Sequence, residues 1–176
     1  MTDTDWANWW CCTWRWMHPG WQPWVRARGG QAFAALGGLP RSRHADLLRS
    51  LGVTPSQPPP PIAEVVHWLS LSAAQRVQAL WLVQTICCCA QTGDPHTGSE
   101  EDWAWCRSVA KALRPGLWLS DRVIDARALL GGWLAPDCWS RLRLDWSPDD
   151  ALAPAQDVPA RKLDALWRAV LWRVSQ

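Results

Sequence analysis

Residues 160–174 read ARKLDALWRAVLWRV, and in them Leu163, Leu166, Trp167, Val170, Leu171 and Val174 recur at intervals of three and one. That spacing lays six apolar side chains along one stripe of an α-helix and leaves the charged residues on the opposite face. No other stretch of the chain is as clearly amphipathic, and its helical period sets the expectation for the whole: a mainly α protein, one compact helical domain with at most a short β element.

Residues on the N-terminal side of that helix repeat the pattern with different punctuation. Ser147 to Pro159 is a loop rich in Pro and Ala. Before it, Leu142, Leu144 and Trp146 alternate with Arg141, Arg143 and Asp145, a period of two that predicts a short extended strand over 139–146 with one wet face. Ser120-Asp121 opens a helix running to Ala135 and closed by Pro136. Ser99, Glu100, Glu101 and Asp102 open another that ends at Arg114-Pro115-Gly116, its acids at the positive end of the helix dipole. Ser72-Ala73-Ala74-Gln75 has capping-box spacing before an apolar run that reaches Cys87, Cys88 and Cys89. Ile62 to Leu71 forms a further short helix.

Thr54 to Pro61 reads TPSQPPPP. Its prolines lack amide donors and favour polyproline II, so the run reads as a stiff spacer. Ser42 to Leu51, capped by Ser42 and stopped by Gly52, and Val25 to Leu36 predict two more helices. From Asp3 to Met17, Trp6, Trp10, Trp14 and Met17 form one helical stripe that Trp9 and Trp16 widen, ended by His18-Pro19-Gly20. Trp21 and Trp24 then fall in a loop. The organisation expected is a Trp-rich helical region over 1–53, a connector over 54–61 and a helical core region over 62–176, all within one domain.

Composition narrows the function. The 176 residues contain 17 Trp, a single Phe (Phe33) and no Tyr, alongside sixteen Arg, two Lys and one Asn. Phe, Tyr, Ile, Asn and Lys share AT-rich codons and Trp does not, so a GC-rich gene accounts for indoles standing where other aromatics usually pack. A formal net charge of +2 is too small and dispersed for the electrostatic footprint of a nucleic-acid binder. The acidic start lacks the basic region of a signal peptide, and no run approaches the roughly 20 apolar residues of a membrane span, so a cytoplasmic protein without direct membrane insertion is expected. Seven Cys, five of them crowded as Cys11-Cys12 and Cys87-Cys88-Cys89, suit reduced thiols better than disulfides or zinc.

Catalytic patterns are missing from the sequence. His18, His44, His67 and His96 have no oriented nucleophile beside them, and Gly29-Gly30 and Gly37-Gly38 lack the phosphate-loop arrangements. Asp149-Asp150 reads as a solvated loop pair. The expectation is a non-enzyme with no catalytic residue, no metal and no cofactor, working as a protein-binding scaffold, where Trp and Arg are enriched at interface hot spots. The alternative is a Trp-rich module that stacks carbohydrate or single-stranded nucleic acid.

Three parts of the chain resemble the SctK family (the YscK/HrpD group) of type III secretion sorting-platform accessory proteins. They are Trp16-Met17-His18, the run from Leu134 to Pro148 with Trp139-Ser140-Arg141-Leu142-Arg143-Leu144, and the closing helix with Leu166-Trp167 and Val170-Leu171. The resemblance implies a cytoplasmic adaptor, peripheral to the inner membrane through its partners. It would link the inner-membrane ring of the injectisome to the cytoplasmic ring protein near the ATPase stator, in the manner of the plant-pathogen members. Candidate partner-binding residues are Trp6, Trp9, Trp10 and Trp14 on the first helix, Trp21 and Trp24 in the loop, Trp139 at the strand entry, and Arg141 and Arg143 on its wet side.

Overall fold

In the computed structural model, the residues described are 1–29, 43–88, 98–119, 125–150 and 152–176. Among them the secondary structure is helical throughout, with no strand. The α-helices are α1 (Asp3–Cys11), α2 (Trp21–Gly29), α3 (His44–Ser50), α4 (Ala63–Ser70), α5 (Ala73–Cys87), α6 (Glu100–Leu113), α7 (Ala126–Trp133), α8 (Pro136–Leu142) and α9 (Ala160–Val174). The mainly α reading therefore stands. The chain divides into two compact units, one of residues 1–66 with 135–152 and the other of 67–134 with 153–176. The Pro-rich run 54–61, read as a spacer between regions, lies inside the first unit.

Several helices start and stop where side-chain chemistry dictates. Ser72 and Gln75 cap α5 reciprocally: the Gln75 amide donates to the Ser72 hydroxyl at 3.2 Å and the Ser72 amide to Gln75 Oε1 at 2.9 Å. Thr2 and Asp5 form the same box on α1. Ser99 accepts from the Asp102 amide at the start of α6. That helix ends on Arg114 in the left-handed region, and its last carbonyl, on Leu113, accepts from Trp118 Nε1 at 2.9 Å and Lys162 Nζ at 3.2 Å. The expected Ser42 cap, and the stretches of predicted helix within 30–42 and 120–124, lie outside the described residues; α7 is capped by Asp125 instead.

Beyond α3, Gly52 takes φ +69°, its amide bonding to Arg49 O at 2.9 Å and the Val53 amide to Leu48 O at 2.9 Å. These two bonds make a Schellman cap, which favours glycine in the left-handed position. A Cβ added there would also meet Arg143 Nη2 at 2.9 Å. Gly52→Ala is expected to lower stability by about 1–2 kcal/mol, read as a lower urea midpoint at unchanged slope. A midpoint equal to that of the parent chain would refute the requirement.

Three sequence expectations are corrected. The predicted strand over 139–146 is α8 followed by a 3-10 turn over Arg143–Asp145. Pro136 follows the end of α7, with Leu134 extended before it, and also opens α8, where its missing N–H is not needed. The alternation misled because it takes charged positions to be wet, whereas Arg141, Leu142 and Leu144 are all fully buried. Trp21 and Trp24 lie on α2, not in a loop. Pro23 reads as a breaker but sits in the first turn of α2, whose amides have no intrahelical partner to lose. The first helix is also shorter than its stripe. It ends at Cys11, and a 3-10 turn over Thr13–Arg15 carries Trp14 into a core with Trp21, Val25, Leu47, Leu48, Leu51, Val53 and Leu144.

Within the second unit, α5 packs against α6, α7 and α9, and α7 against α9. The apolar stripe of α9 is buried as its spacing requires. Trp167 is fully buried, with Trp133 stacked on it at 5.9 Å between ring centroids and Trp68 edge-on at 6.0 Å. The segment before α9 crosses α7, the Ala155 amide bonding to Ala128 O at 2.8 Å. Gly132 permits this approach, because a Cβ there would stand 2.7 Å from Ala155 O.

Asp102 and Arg173 tie α6 to α9 at 3.0 Å, with Glu101 adding a contact to the same guanidinium at 2.8 Å. Burial acts to raise the Asp102 carboxyl, but hydrogen bonds from Ser99 and Arg173 outweigh it and hold it below the usual carboxylate range. Asp125 is held low in the same way by Arg127. A carboxyl depressed in the folded state adds stability above its unfolded pKa of about 3.9, and that stability is lost as pH falls through the lower folded value. Thermal melts are therefore expected to be flat from about pH 7 to pH 5 as far as these groups are concerned, and to drop below about pH 4. Asp102→Asn should melt lower than the parent at pH 7 and converge with it in acid; a gap that persists at pH 2 would refute the linkage.

Candidate functional site

The first unit gathers the residues singled out by the sequence, but turns most of them inward. On α1, Trp6, Trp9 and Trp10 fill one face and are buried, with ring centroids 5.3 Å (Trp6–Trp9), 5.7 Å (Trp6–Trp10) and 6.2 Å (Trp9–Trp10) apart. Two of these indoles spend their N–H on the Pro-rich run. Trp6 Nε1 donates to Pro59 O at 2.7 Å and Trp10 Nε1 to Ser56 O at 3.2 Å. A run whose prolines bring no amide donors can dock here with its carbonyls satisfied from outside.

Arg141 sits beneath this layer with no exposed surface. Its Nε donates to Trp10 O at 3.0 Å, Nη1 to Asp137 O at 2.8 Å and Nη2 to Thr54 O at 3.0 Å, while Cζ lies 3.8 Å from the Trp10 ring centroid. The guanidinium thereby caps the C-terminal end of α1, where orphan carbonyls and the negative dipole end favour a cation and where α1 has no basic residue of its own. Burial lowers the Arg141 pKa, opposed by Asp137, yet an arginine stays charged in proteins. The wet side expected for Arg141 is therefore wrong: it is a buried cation held by carbonyls and an indole face.

Arg143 repeats the theme half-buried. Its Nη2 donates to Leu51 O and its Cζ lies 5.1 Å from the Trp21 ring centroid. Trp21 is buried, donates to Trp146 O at 2.8 Å and meets the half-buried Trp24 edge-on at 5.3 Å. Trp14 is buried against the His44 ring at 4.7 Å. Trp139 is buried beside Trp146 at 5.8 Å. Of the nine candidate partner residues, then, Trp6, Trp9, Trp10, Trp14, Trp21, Trp139 and Arg141 are core, and Trp24 and Arg143 are half-covered.

Exposed apolar side chains lie elsewhere. Trp16, which core spacing did not explain, is 51% exposed. In the second unit Trp172 is 60%, Val77 67% and Leu117 79% exposed. Gln75 Nε2 donates to Val174 O at 2.8 Å, so the first turn of α5 lies against the last turn of α9. Val77 and Trp172 are each two residues, roughly half a turn, from that bond along α5 and α9. The sequence offered one signal for Trp172: it falls outside the α9 stripe, one position beyond Leu171.

Reactive chemistry is not concentrated at either place. His67 Nε2 and Ser175 Oγ are 2.8 Å apart, and the same hydroxyl donates to Leu171 O at 2.7 Å, a backbone bond that competes for its one proton. Burial pushes the Cys106 thiol up to about 12 and Cys138 to about 11, which keeps both protonated. Cys87 and Cys88 are half-buried, and Cys89 lies outside the described residues, as does His96. Among the described residues no group of three His, Cys, Asp or Glu could hold a metal, and no helix is long and apolar enough to cross a membrane. Compared with protein-family models, curated proteins and solved structures, the chain matches none.

Proposed function

We propose that this chain is a non-enzymatic adaptor whose partner face is the exposed apolar surface of the second unit, and that its partners are those of a type III secretion sorting platform. The observation that carries the adaptor reading is that Val77 on α5 and Trp172 on α9 are each more than half exposed, as is Leu117 in the same unit. A large exposed indole on the helix that also carries Arg173 brings together residue types enriched at interface hot spots. Resemblance at Trp16-Met17-His18, at 134–148 and along α9 supports the choice of partners, and α9 is the element that carries Trp172. Peripheral placement at the inner membrane through those partners belongs to the same proposal.

The test is co-purification of the tagged chain with the cytoplasmic ring protein, the stator and the cytosolic domain of the inner-membrane ring. Retention of at least one is expected, weakened tenfold or more by Trp172→Ala with Val77→Ser. These changes at exposed positions should leave the helical circular dichroism and melting temperature nearly unchanged. Retention of none of the three, or retention indifferent to both substitutions, rejects the reading.

A further inference from the structure

The docking of residues 54–61 on α1 is an ordered ladder. Going along the run, Thr54 O meets Arg141 Nη2, Ser56 O meets Trp10 Nε1 and Pro59 O meets Trp6 Nε1, so the run proceeds antiparallel to α1. Trp6 and Trp10 are one α-helical turn apart, on the same face. Ser56 and Pro59 are three residues apart, the length of one turn in a polyproline II helix, where carbonyls so spaced share one edge about 9 Å apart. Residues 53–59 have no regular backbone hydrogen bonding of their own, and Pro58 and Pro59 are half-buried while Pro60 and Pro61 face solvent. A row of indoles with N–H groups aimed at carbonyls three residues apart has the physical elements by which aromatic-lined grooves recognise Pro-rich segments.

We propose that the α1 face bearing Trp6 and Trp10, closed at one end by Arg141, is a binding site for polyproline II peptides, filled in this chain by its own residues 54–61. All three rungs reach backbone carbonyls, and Ser56 Oγ also lies 3.2 Å from Trp10 Nε1 and 3.4 Å from Arg141 Nη2, so the site reads the backbone of its occupant together with a hydroxyl at the Ser56 position. Any segment with proline spacing like that of Pro55-Ser56-Gln57-Pro58 presents the same edge. The tether makes the chain's own run the resident ligand, because a flexibly joined segment competes at an effective concentration in the millimolar range. A segment in trans gains the site only when the run is weakened. This site is independent of the adaptor reading.

The experiment uses the full chain with Pro55→Ser, Pro58→Gly, Pro59→Gly, Pro60→Gly and Pro61→Ser together, and a fluorescein-labelled TPSQPPPP peptide followed by anisotropy. Saturable binding with half-saturation at or below about 1 mM is expected. Binding to the unaltered chain should be at least tenfold weaker. Adding Trp6→Phe and Trp10→Phe, which keep a ring but remove both donors, should weaken binding at least tenfold. A five-fold substituted chain that keeps its helical circular dichroism and does not bind, or that binds a peptide with its prolines changed to glycine equally well, overturns the proposal. If that chain fails to fold, Pro58→Gly with Pro59→Gly alone decides: peptide binding must rise above that of the parent, and no rise overturns it.

Discussion

Arg141→Ala is expected to destabilise the protein by about 2–4 kcal/mol, among the largest losses available from one surface-free side chain. The substitution removes the donors that reach Trp10 O, Asp137 O and Thr54 O, together with the cation under the Trp10 ring. A buried carbonyl left without a partner costs roughly 1–3 kcal/mol, which applies first to Trp10 O, since Asp137 O keeps the Ser140 hydroxyl at 3.0 Å, and a desolvated cation–π contact adds about 2. Against this stands the relief of not burying a charge, which is why the net is smaller than the sum. For a chain of this length the loss corresponds to a drop in melting temperature of roughly 10 °C. Lysine and methionine separate the contributions. Arg141→Lys keeps the charge but not the three-way fork and should lose about half as much; Arg141→Met fills space over Trp10 but brings no donor and should fall close to alanine. A methionine variant as stable as the parent would show that the three carbonyls do not need the guanidinium.

Local rules made the helices legible, and long-range partners made the rest illegible. The stripe of α9, the capping box at Ser72 and Gln75 and the acidic start of α6 depend on residues within a few positions of one another, and all three appear in the fold. What Arg141 does depends on Trp10, 131 residues away, and on Thr54, 87 residues away. No window of sequence contains that information, so the side chain was assigned to water by its charge. The same limit governs the Pro-rich run. Its stiffness was readable from its prolines, but its docking depends on Trp6, 53 residues before Pro59. The candidate site was thus half legible: the Trp face of α1 was visible as a stripe, and what covers it was not. Residues exposed by default, such as Val77, give no sequence signal, since a valine within an apolar helix reads as core wherever it points.

Trp167→Ala is expected to cost about 3–5 kcal/mol, because it empties a fully buried site and removes the stack with Trp133 and the edge contact with Trp68. The more informative substitution is Trp167→Phe. Trp167 Nε1 is buried with no hydrogen-bond partner among the described residues, as are the indole nitrogens of Trp68, Trp103 and Trp139. An unpaired buried N–H costs about 1–3 kcal/mol, so phenylalanine removes a penalty while losing some volume, and a net loss under about 1.5 kcal/mol follows. Trp21 presents the opposite case: its N–H is bonded to Trp146 O at 2.8 Å, and phenylalanine there would lose that bond and strand the carbonyl. Trp21→Phe should therefore cost more than Trp167→Phe, although Trp167 is the more deeply buried. Urea midpoints of the two variants decide the matter. The predicted order supports the view that indoles such as Trp167 occupy places phenylalanine could fill, while Trp6, Trp10 and Trp21 are needed as tryptophan. If instead Trp167→Phe is the costlier, the fit of the larger ring against Trp133 and Trp68 outweighs its unpaired nitrogen, and codon composition does not account for its presence.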